Sequence, residues 1–93
     1  MPSMTASVAS AEPARLINRL CKHFSHIIDA QWNDTTGHLT FSIGQCELAA
    51  HSGILTLTCQ SESHDKLEEL GEVVASHLIR FAGGEVDQVR WQD

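Results

Sequence analysis

Basic residues are scarce in this 93-residue sequence. Six lysines and arginines stand against 12 aspartates and glutamates, which gives a formal net charge of -6 at pH 7. This imbalance excludes nucleic acid as an expected partner, because phosphate contacts require a basic surface. Long apolar runs are also lacking, and residues 1–14 have neither the positive start nor the apolar centre of a secretory signal. We therefore expect a cytoplasmic protein with no membrane partner.

Cysteine occurs only three times. An odd number cannot form a complete disulfide framework, so we expect reduced thiols in a reducing compartment. The sequence also lacks a CxxC pair, a glycine-rich phosphate loop, a zincin histidine pair and a nucleophile elbow. Its adjacent serine–histidine pairs do not face each other on a helix. These absences predict a protein that is not an enzyme and that binds no cofactor.

Two stretches have the apolar spacing of amphipathic helices. The first, Ala14 to Ile28, follows Ser10, which can cap it, and Pro13, which suits its first turn. Its predicted buried arc consists of Leu16, Ile17, Leu20, Cys21, Phe24, Ile27 and Ile28. The second helix runs from about Glu62 to Ala82, opens with Ser61 and stops at a glycine pair. A glycine inside it, Gly71, predicts close packing against a neighbour.

Between the helices the apolar period changes from 3.6 to 2, which predicts strands joined by tight turns. Two-residue hairpin loops are expected at Gly44-Gln45 and Ser52-Gly53. The resulting cross-strand neighbours are Phe41 with Leu48 and Leu57, Ile43 with Cys46 and Cys59, and His38 with His51. This register places every apolar set on one face, with Cys46 and Cys59 as two packed thiols.

Three further strands are predicted at Thr5–Ala9 with Val8 inward, at Ala30–Asn33, and at Val86–Trp91 with Val89 and Trp91 inward. The element order is then β-α-β-β-β-β-α-β. Adjacent strands in this order form an antiparallel sheet of about six strands, and both helices must cover its apolar face. The sequence thus predicts one α+β domain, residues 1–93, built as a two-layer sandwich. Its element order resembles the TATA-binding-protein-like fold.

Several short segments, spread over nearly the whole chain, form a further pattern. They are Arg19 to His26, Gly37 to Phe41, Cys46-x-Leu48, Val73-Val74, His77-Leu78, Arg80-Phe81-Ala82 and Val89-x-Trp91. Together they resemble a family of small bacterial proteins designated a domain of unknown function, and the Leu-Cys-Lys-His-Phe block is the most specific part. The resemblance implies no established activity. Related domains occur as N-terminal modules of siderophore-interacting flavoproteins, so the resemblance also implies iron uptake as a context.

The basic charge of this acidic chain is concentrated on the first helix. Residues 1–28 carry three bases against one acid, a balance of +2. Residues 29–93 have a net charge of -8, and the two parts sum to the total of -6. Arg19, Lys22, His23 and His26 share one predicted helix face. Two interpretations stay open. The face is either solvated and paired with acids of the second helix, or it is an anion site in which Arg19 supplies forked donors and the histidines tune affinity with pH.

A second candidate site is His77, at the edge of the second helix's apolar stripe, with Arg80 nearby. The favoured interpretation of His77 is a core histidine bonded to a backbone carbonyl or a carboxylate. Cys21 points away from His23 on the helix, so the Cys21-x-His23-x-x-His26 motif cannot converge on one metal ion. His38 and His51 with Gln31 form a weak ligand set. We predict no metal site.

These features favour a non-catalytic binding module whose basic face, Arg19, Lys22, His23 and His26, meets an anionic small molecule or a protein partner. The family resemblance would make that ligand a ferric siderophore or its handling protein. One alternative is a homodimer or larger homo-oligomer that pairs through the uncovered sheet face. The other alternative is a small metal-binding protein or enzyme.

Overall fold

The fold is described by a computed structural model, which covers residues 2–92. The five strands are β1 (Ser3–Ala9), β2 (Asp29–Trp32), β3 (Thr36–Phe41), β4 (Gly44–His51) and β5 (Ile54–Gln60). The two helices are α1 (Pro13–Phe24), between β1 and β2, and α2 (His64–Phe81), after β5. The predicted α+β class, with two helices and four consecutive strands between them, is confirmed.

All five strands pair antiparallel in one open sheet, in the order β1-β5-β4-β3-β2. Side chains alternate between the buried and the exposed face, most regularly along β1. Both helices lie on the buried face, and their apolar residues join those of the strands in one core. The largest fully buried side chains include Ile17, Leu20, Phe24, Leu39, Leu48, Leu55, Leu57, Leu70 and Leu78. The other face of the sheet has no helix over it.

The β3–β4 hairpin turns two residues earlier than the sequence predicts. Phe41 pairs with Gly44, so residues 42–43 form the loop, and the predicted loop at Gly44-Gln45 is wrong. Gly44 instead begins β4 and lies against β5, where a Cβ atom would collide with the carbonyl oxygen of Gln60. The buried Ser61 hydroxyl holds the turn by donating a hydrogen bond to the carbonyl of residue 43.

The earlier turn changes the β3–β4 partners but not the face that each side chain occupies. The observed partner of Leu48 is Gly37 instead of the predicted Phe41. The observed partner of Cys46 is Leu39 instead of the predicted Ile43. Each strand shifts by an even number of residues, and side chains alternate with a period of two. The apolar sets therefore remain on the inner face.

The β4–β5 hairpin matches the prediction. His51 pairs with Ile54 across the loop at residues 52–53, and Cys46 lies directly opposite Cys59. Both cysteines are free and fully buried, which confirms two packed thiols. A hydrogen bond with Cys59, together with burial, raises the pKa of the Cys46 thiol well above its ordinary value. The Cys46 thiol therefore stays protonated in the folded protein.

Helix α1 is shorter than predicted. It ends at Phe24 rather than Ile28, and Ile27, which the sequence placed in the buried arc, is 69% exposed. Its N-cap is Glu12, so the predicted Ser10 cap is wrong. The Ser10 hydroxyl still contributes near this end, because it accepts a hydrogen bond from the Glu12 amide at 3.2 Å.

Helix α2 begins two residues later than predicted, because Ser63 rather than Ser61 caps it. The Ser63 side chain accepts a hydrogen bond from an amide in the first turn at 3.2 Å. The close packing predicted at Gly71 is confirmed, since a Cβ atom there would collide with Met4 and lie 3.1 Å from Nε1 of Trp91. Neither helix is long and apolar enough to cross a membrane.

Residues 86–91 do not form the predicted sixth strand. This segment passes beside β1, but the backbone bridge there joins only Gln92 to Thr5. Val86, Val89 and Trp91 still pack against the core, which accounts for the alternating apolar pattern that predicted a strand. The closing strand of the TATA-binding-protein-like order is therefore missing from residues 2–92.

Gly37 marks the point where α1 lies closest to the sheet, and we predict that Gly37→Ala destabilises the fold. A Cβ atom there would lie 2.8 Å from the sulfur of Cys21 and 3.2 Å from Cγ2 of Ile17. Overpacking of this kind lowers the free energy of unfolding by about 1–3 kcal/mol, which urea denaturation measures. The control is the same change in a Cys21→Ala background, where the missing sulfur should reduce the loss. Equal losses in both backgrounds would contradict this packing.

Glu85 ties the loop after α2 to the segment before α1. Its carboxylate accepts hydrogen bonds from the Ser10 hydroxyl at 2.8 Å and from the Ala11 amide at 3.0 Å. These bonds, led by the one from the amide, lower the pKa of Glu85 from its usual value of 4.5. The charged carboxylate therefore favours the folded state.

We expect Glu85→Gln to lower the free energy of unfolding at neutral pH. Because the pKa of Glu85 is depressed on folding, its contribution is complete above 4.5 and is lost as the pH falls through the lower folded value. Urea unfolding should therefore separate the variant from the wild type at about pH 7 and bring them together at about pH 3. The control is Glu69→Gln, an exposed residue whose carboxylate has no hydrogen bond among residues 2–92. A difference at Glu85 that persists unchanged in acid would contradict the assignment.

Candidate functional site

The two helices lie antiparallel on the sheet and meet along one edge. The start of α1 lies beside residues 82–85, whereas its last turn lies beside His77. Because each helix turns its apolar stripe towards the sheet, residues at the rim of each stripe face one another above the core. His23 of α1 and His77 of α2 occupy such rim positions. We call this region, with Phe24, Phe81 and Arg19 beside the two histidines, the helix seam.

The imidazoles of His23 and His77 form the middle of the helix seam. Their ring centroids are 5.1 Å apart and their planes are inclined by 35°. Nδ1 of His77 lies 2.7 Å from the carbonyl oxygen of Val73, one helical turn earlier. A carbonyl oxygen only accepts, so Nδ1 carries the proton and Nε2 of the neutral ring keeps a free lone pair. The predicted carbonyl-bonded histidine is thus confirmed, and the two separately predicted sites lie in one place.

Two phenylalanines, Phe24 and Phe81, pack against the imidazole pair, and Phe41 packs against Phe24. Phe24 has its ring centroid 4.8 Å from that of His77 and 5.2 Å from that of Phe41. Phe81 has its ring centroid 5.1 Å from that of His23. This cluster could not be recognised from the sequence. The one local feature that points to it is the four-residue spacing of His77 and Phe81 on a helix. The phenylalanines make the inner wall of the seam apolar.

Two of the predicted basic residues lie on α1 beside the histidines. Arg19 is exposed, and its Nη1 donates a hydrogen bond of 3.4 Å to the carbonyl oxygen of Phe81, at the end of α2. Lys22 is also exposed and lies in the last turn of α1, next to His23. Arg19 therefore joins the two helices, whereas Lys22 presents its ammonium group to solvent.

The other two predicted residues lie further towards the rim of the seam. Arg80 is exposed and follows His77 by three residues, which places both on one side of α2. His26 is exposed in the turn after α1, and its amide lies 3.4 Å from the carbonyl oxygen of His23. His26 does not continue the helix face as the sequence predicts, because α1 has already ended.

Among residues 2–92 no carboxylate lies within 4.0 Å of the charged groups of Arg19, Lys22 or Arg80, although Glu12 and Glu85 line the depression beside Arg19. The ion pairs there join Glu12 to Arg15, Glu47 to His38 and Glu62 to Lys66. The predicted pairing of the basic face with acids of α2 is therefore not present, whereas Arg19 and Lys22 are exposed to solvent, as the same interpretation expects. The carbonyl ends of α1 and α2 supply partial negative charge instead.

Residues 2–92 contain no group of three histidine, cysteine or acidic side chains placed to hold one metal ion. Cys21 is fully buried on the inner side of α1, as predicted, and burial raises the pKa of its thiol to about 11. On the outer face of the sheet, His38 pairs with Glu47 rather than with His51. The predicted His38–His51 pair is therefore wrong.

Known proteins resemble this chain over almost its full length. The family model described as "Uncharacterized protein conserved in bacteria (DUF2218)" matches residues 5–92. The NMR structure of PA4090 from Pseudomonas aeruginosa is 35% identical, with a TM-score of 0.83 over 99% of this chain and 96% of that chain. No curated protein sequence matches this chain. The chain belongs to the uncharacterised bacterial protein family DUF2218.

Proposed function

We propose that the helix seam binds an anionic ligand and that the protein is a non-catalytic binding module. The observation that carries the proposal is the imidazole pair, with centroids 5.1 Å apart and with Nε2 of His77 free. Two half-buried histidines held side by side on two different helices form a fixed receptor. A protonated imidazole offers two N–H donors and a positive charge to an anion.

The charges around the seam support an anion over a cation or a neutral ligand. Arg19, Lys22 and Arg80 have no ion-pair partner within 4.0 Å among residues 2–92. Their donors suit carboxylate, phosphate or catecholate oxygens, because charge-assisted hydrogen bonds to such groups are short and strong. The apolar wall of phenylalanines limits screening on the inner side.

The same basic residues also have a structural role. Lys22 and His23 lie in the last turn of α1, and Arg80 lies in the last turn of α2. Cations at these positions stabilise helix carbonyl ends by about 0.3–1 kcal/mol each. That role accounts for the charges but not for the paired imidazoles. A test must therefore measure ligand affinity and folding stability separately.

We expect inorganic phosphate, citrate and a ferric catecholate siderophore to be distinguished by an NMR titration of the amides. The bound anion should shift the amides of residues 19–26 and 77–81. The other basic groups at this site are Arg19, Lys22, His26 and Arg80, and Glu12 and Glu85 line the depression beside Arg19. A siderophore that binds more tightly than phosphate and citrate would support a role in iron handling.

The variant His23→Gln should weaken anion binding by about tenfold or more, roughly 1.4 kcal/mol. Its free energy of unfolding should also fall, because the ring packs against those of Phe24, His77 and Phe81, so binding is measured under conditions in which the variant is folded. His51→Gln, an exposed histidine on β4, is the matched control and should bind as the wild type does. The absence of amide shifts in the seam at millimolar anion would contradict the proposal, as would equal anion affinity of the two variants.

A homodimer through the outer face of the sheet is the second candidate function. This face carries an open depression of about 500 Å³, lined by residues of β2, β3, β4 and β5. Within it, Nδ1 of His38 lies 3.7 Å from a carboxylate oxygen of Glu47. A two-fold axis through the depression would set the Glu47 of one copy against the His38 of the other, and an isologous interface pairs the same surface on both copies.

Light scattering at two protein concentrations tests this second candidate. The wild type should approach twice the chain mass of 10.2 kDa at the higher concentration. Glu47→Arg should remain monomeric, because it places like charges opposite one another. A wild type that is strictly monomeric at both concentrations would contradict pairing through this face.

A further inference from the structure

We infer that His23 and His77 form a two-histidine site for a divalent transition metal ion, whose remaining coordination positions take water or an anion. The anion part of this inference rests on the function proposed above, whereas the metal part does not. The site would use imidazole nitrogens from two helices and oxygen atoms from solvent or from the bound ligand. Zinc and copper are the ions that such a nitrogen and oxygen set favours.

The separation of the two rings fits one shared ion. With metal–nitrogen distances of about 2.1 Å and tetrahedral geometry, the centres of two imidazoles on one ion lie roughly 5.2 Å apart. The ring centroids of His23 and His77 are 5.1 Å apart. The separation of the ring centroids is therefore compatible with one shared ion.

The hydrogen bond of His77 supplies an independent argument. Metal-binding histidines usually donate their second ring N–H to a carboxylate or a backbone carbonyl, which fixes the tautomer and the ring orientation. Nδ1 of His77 makes such a bond to the carbonyl oxygen of Val73 at 2.7 Å. The tautomer that results leaves Nε2 as an available ligand atom.

The surrounding charges determine which form of the ion binds well. Arg19, Lys22 and Arg80 repel a bare dication, whereas the carbonyl ends of α1 and α2 attract it only weakly. An anion that completes the coordination sphere removes this conflict, because the basic side chains then face negative oxygens. Metal ion and anion should therefore each raise the affinity for the other by the same factor.

The test is a titration of the untagged protein with Zn²⁺ alone, followed by calorimetry and by NMR. We expect one equivalent to bind with shifts at both histidine rings, and we expect phosphate to increase the affinity for Zn²⁺. His23→Gln and His77→Gln should each weaken Zn²⁺ binding by at least about tenfold. His51→Gln again serves as the matched control and should leave Zn²⁺ binding unchanged.

The outcomes separate this inference from the proposed function. No Zn²⁺ binding, or equal binding by wild type and His23→Gln, overturns the metal site even if phosphate binds in the presence of a chelator. Zn²⁺ binding that phosphate does not affect supports the metal site and counts against the anion. If His77→Gln unfolds because it loses its carbonyl bond, His23→Gln alone decides the result.

Discussion

Two helices must cover one face of a five-stranded sheet, and this requirement fixes the geometry of the helix seam. Burying a leucine or phenylalanine side chain contributes about 1.5–3 kcal/mol, so the two apolar stripes have one favourable orientation on the sheet. Leu20 and Leu78 are fully buried in that orientation. His23, three residues after Leu20, and His77, next to Leu78, are thereby held at the rim. The core thus determines the separation of two polar groups that have no direct hydrogen bond to each other.

This arrangement gives the seam two different surroundings. On the inner side, the rings of Phe24 and Phe81 pack against the imidazoles. On the outer side, Arg19 and Lys22 are exposed to solvent, and the helix carbonyl ends offset part of their charge. A ligand that enters from outside meets oriented donors without a large rearrangement, which lowers the cost of binding. Membership in an uncharacterised family does not identify a ligand, so the proposal of a bound anion rests on the geometry of the seam.

Local pattern was sufficient for much of this fold and insufficient for the site. The β4–β5 register followed from alternation and a serine–glycine turn, and it placed Cys46 opposite Cys59 as observed. The β3–β4 turn was mispredicted because Gly44 is required where β4 begins, by its φ of +154° and by its contact with β5, and not inside the two-residue loop. Residues 86–91 have a strand-like pattern, yet they pack against the core with almost no backbone pairing. Both errors come from tertiary contacts that no local window contains.

The same limitation applies to the histidines. The sequence placed His77 at the edge of the apolar stripe of α2 and His23 on the basic face of α1, and both side chains are half-buried. Their approach depends on how the helices lie on the sheet, which periodicity does not encode. The carbonyl bond of His77 could be anticipated as a general requirement of a half-buried imidazole, but Val73 as the partner could not.

The central claim is that His77 is held as the Nδ1–H tautomer, with Nε2 free, beside the ring of His23. A long-range ¹H–¹⁵N NMR spectrum of the imidazoles, recorded in a mildly alkaline buffer, reports the tautomer directly. A nuclear Overhauser measurement on the same sample reports the distance between the rings. The account predicts an Nδ1–H tautomer for His77 and cross-peaks between the ring protons of His77 and His23. An Nε2–H tautomer, or the absence of any cross-peak between the two rings, would contradict it.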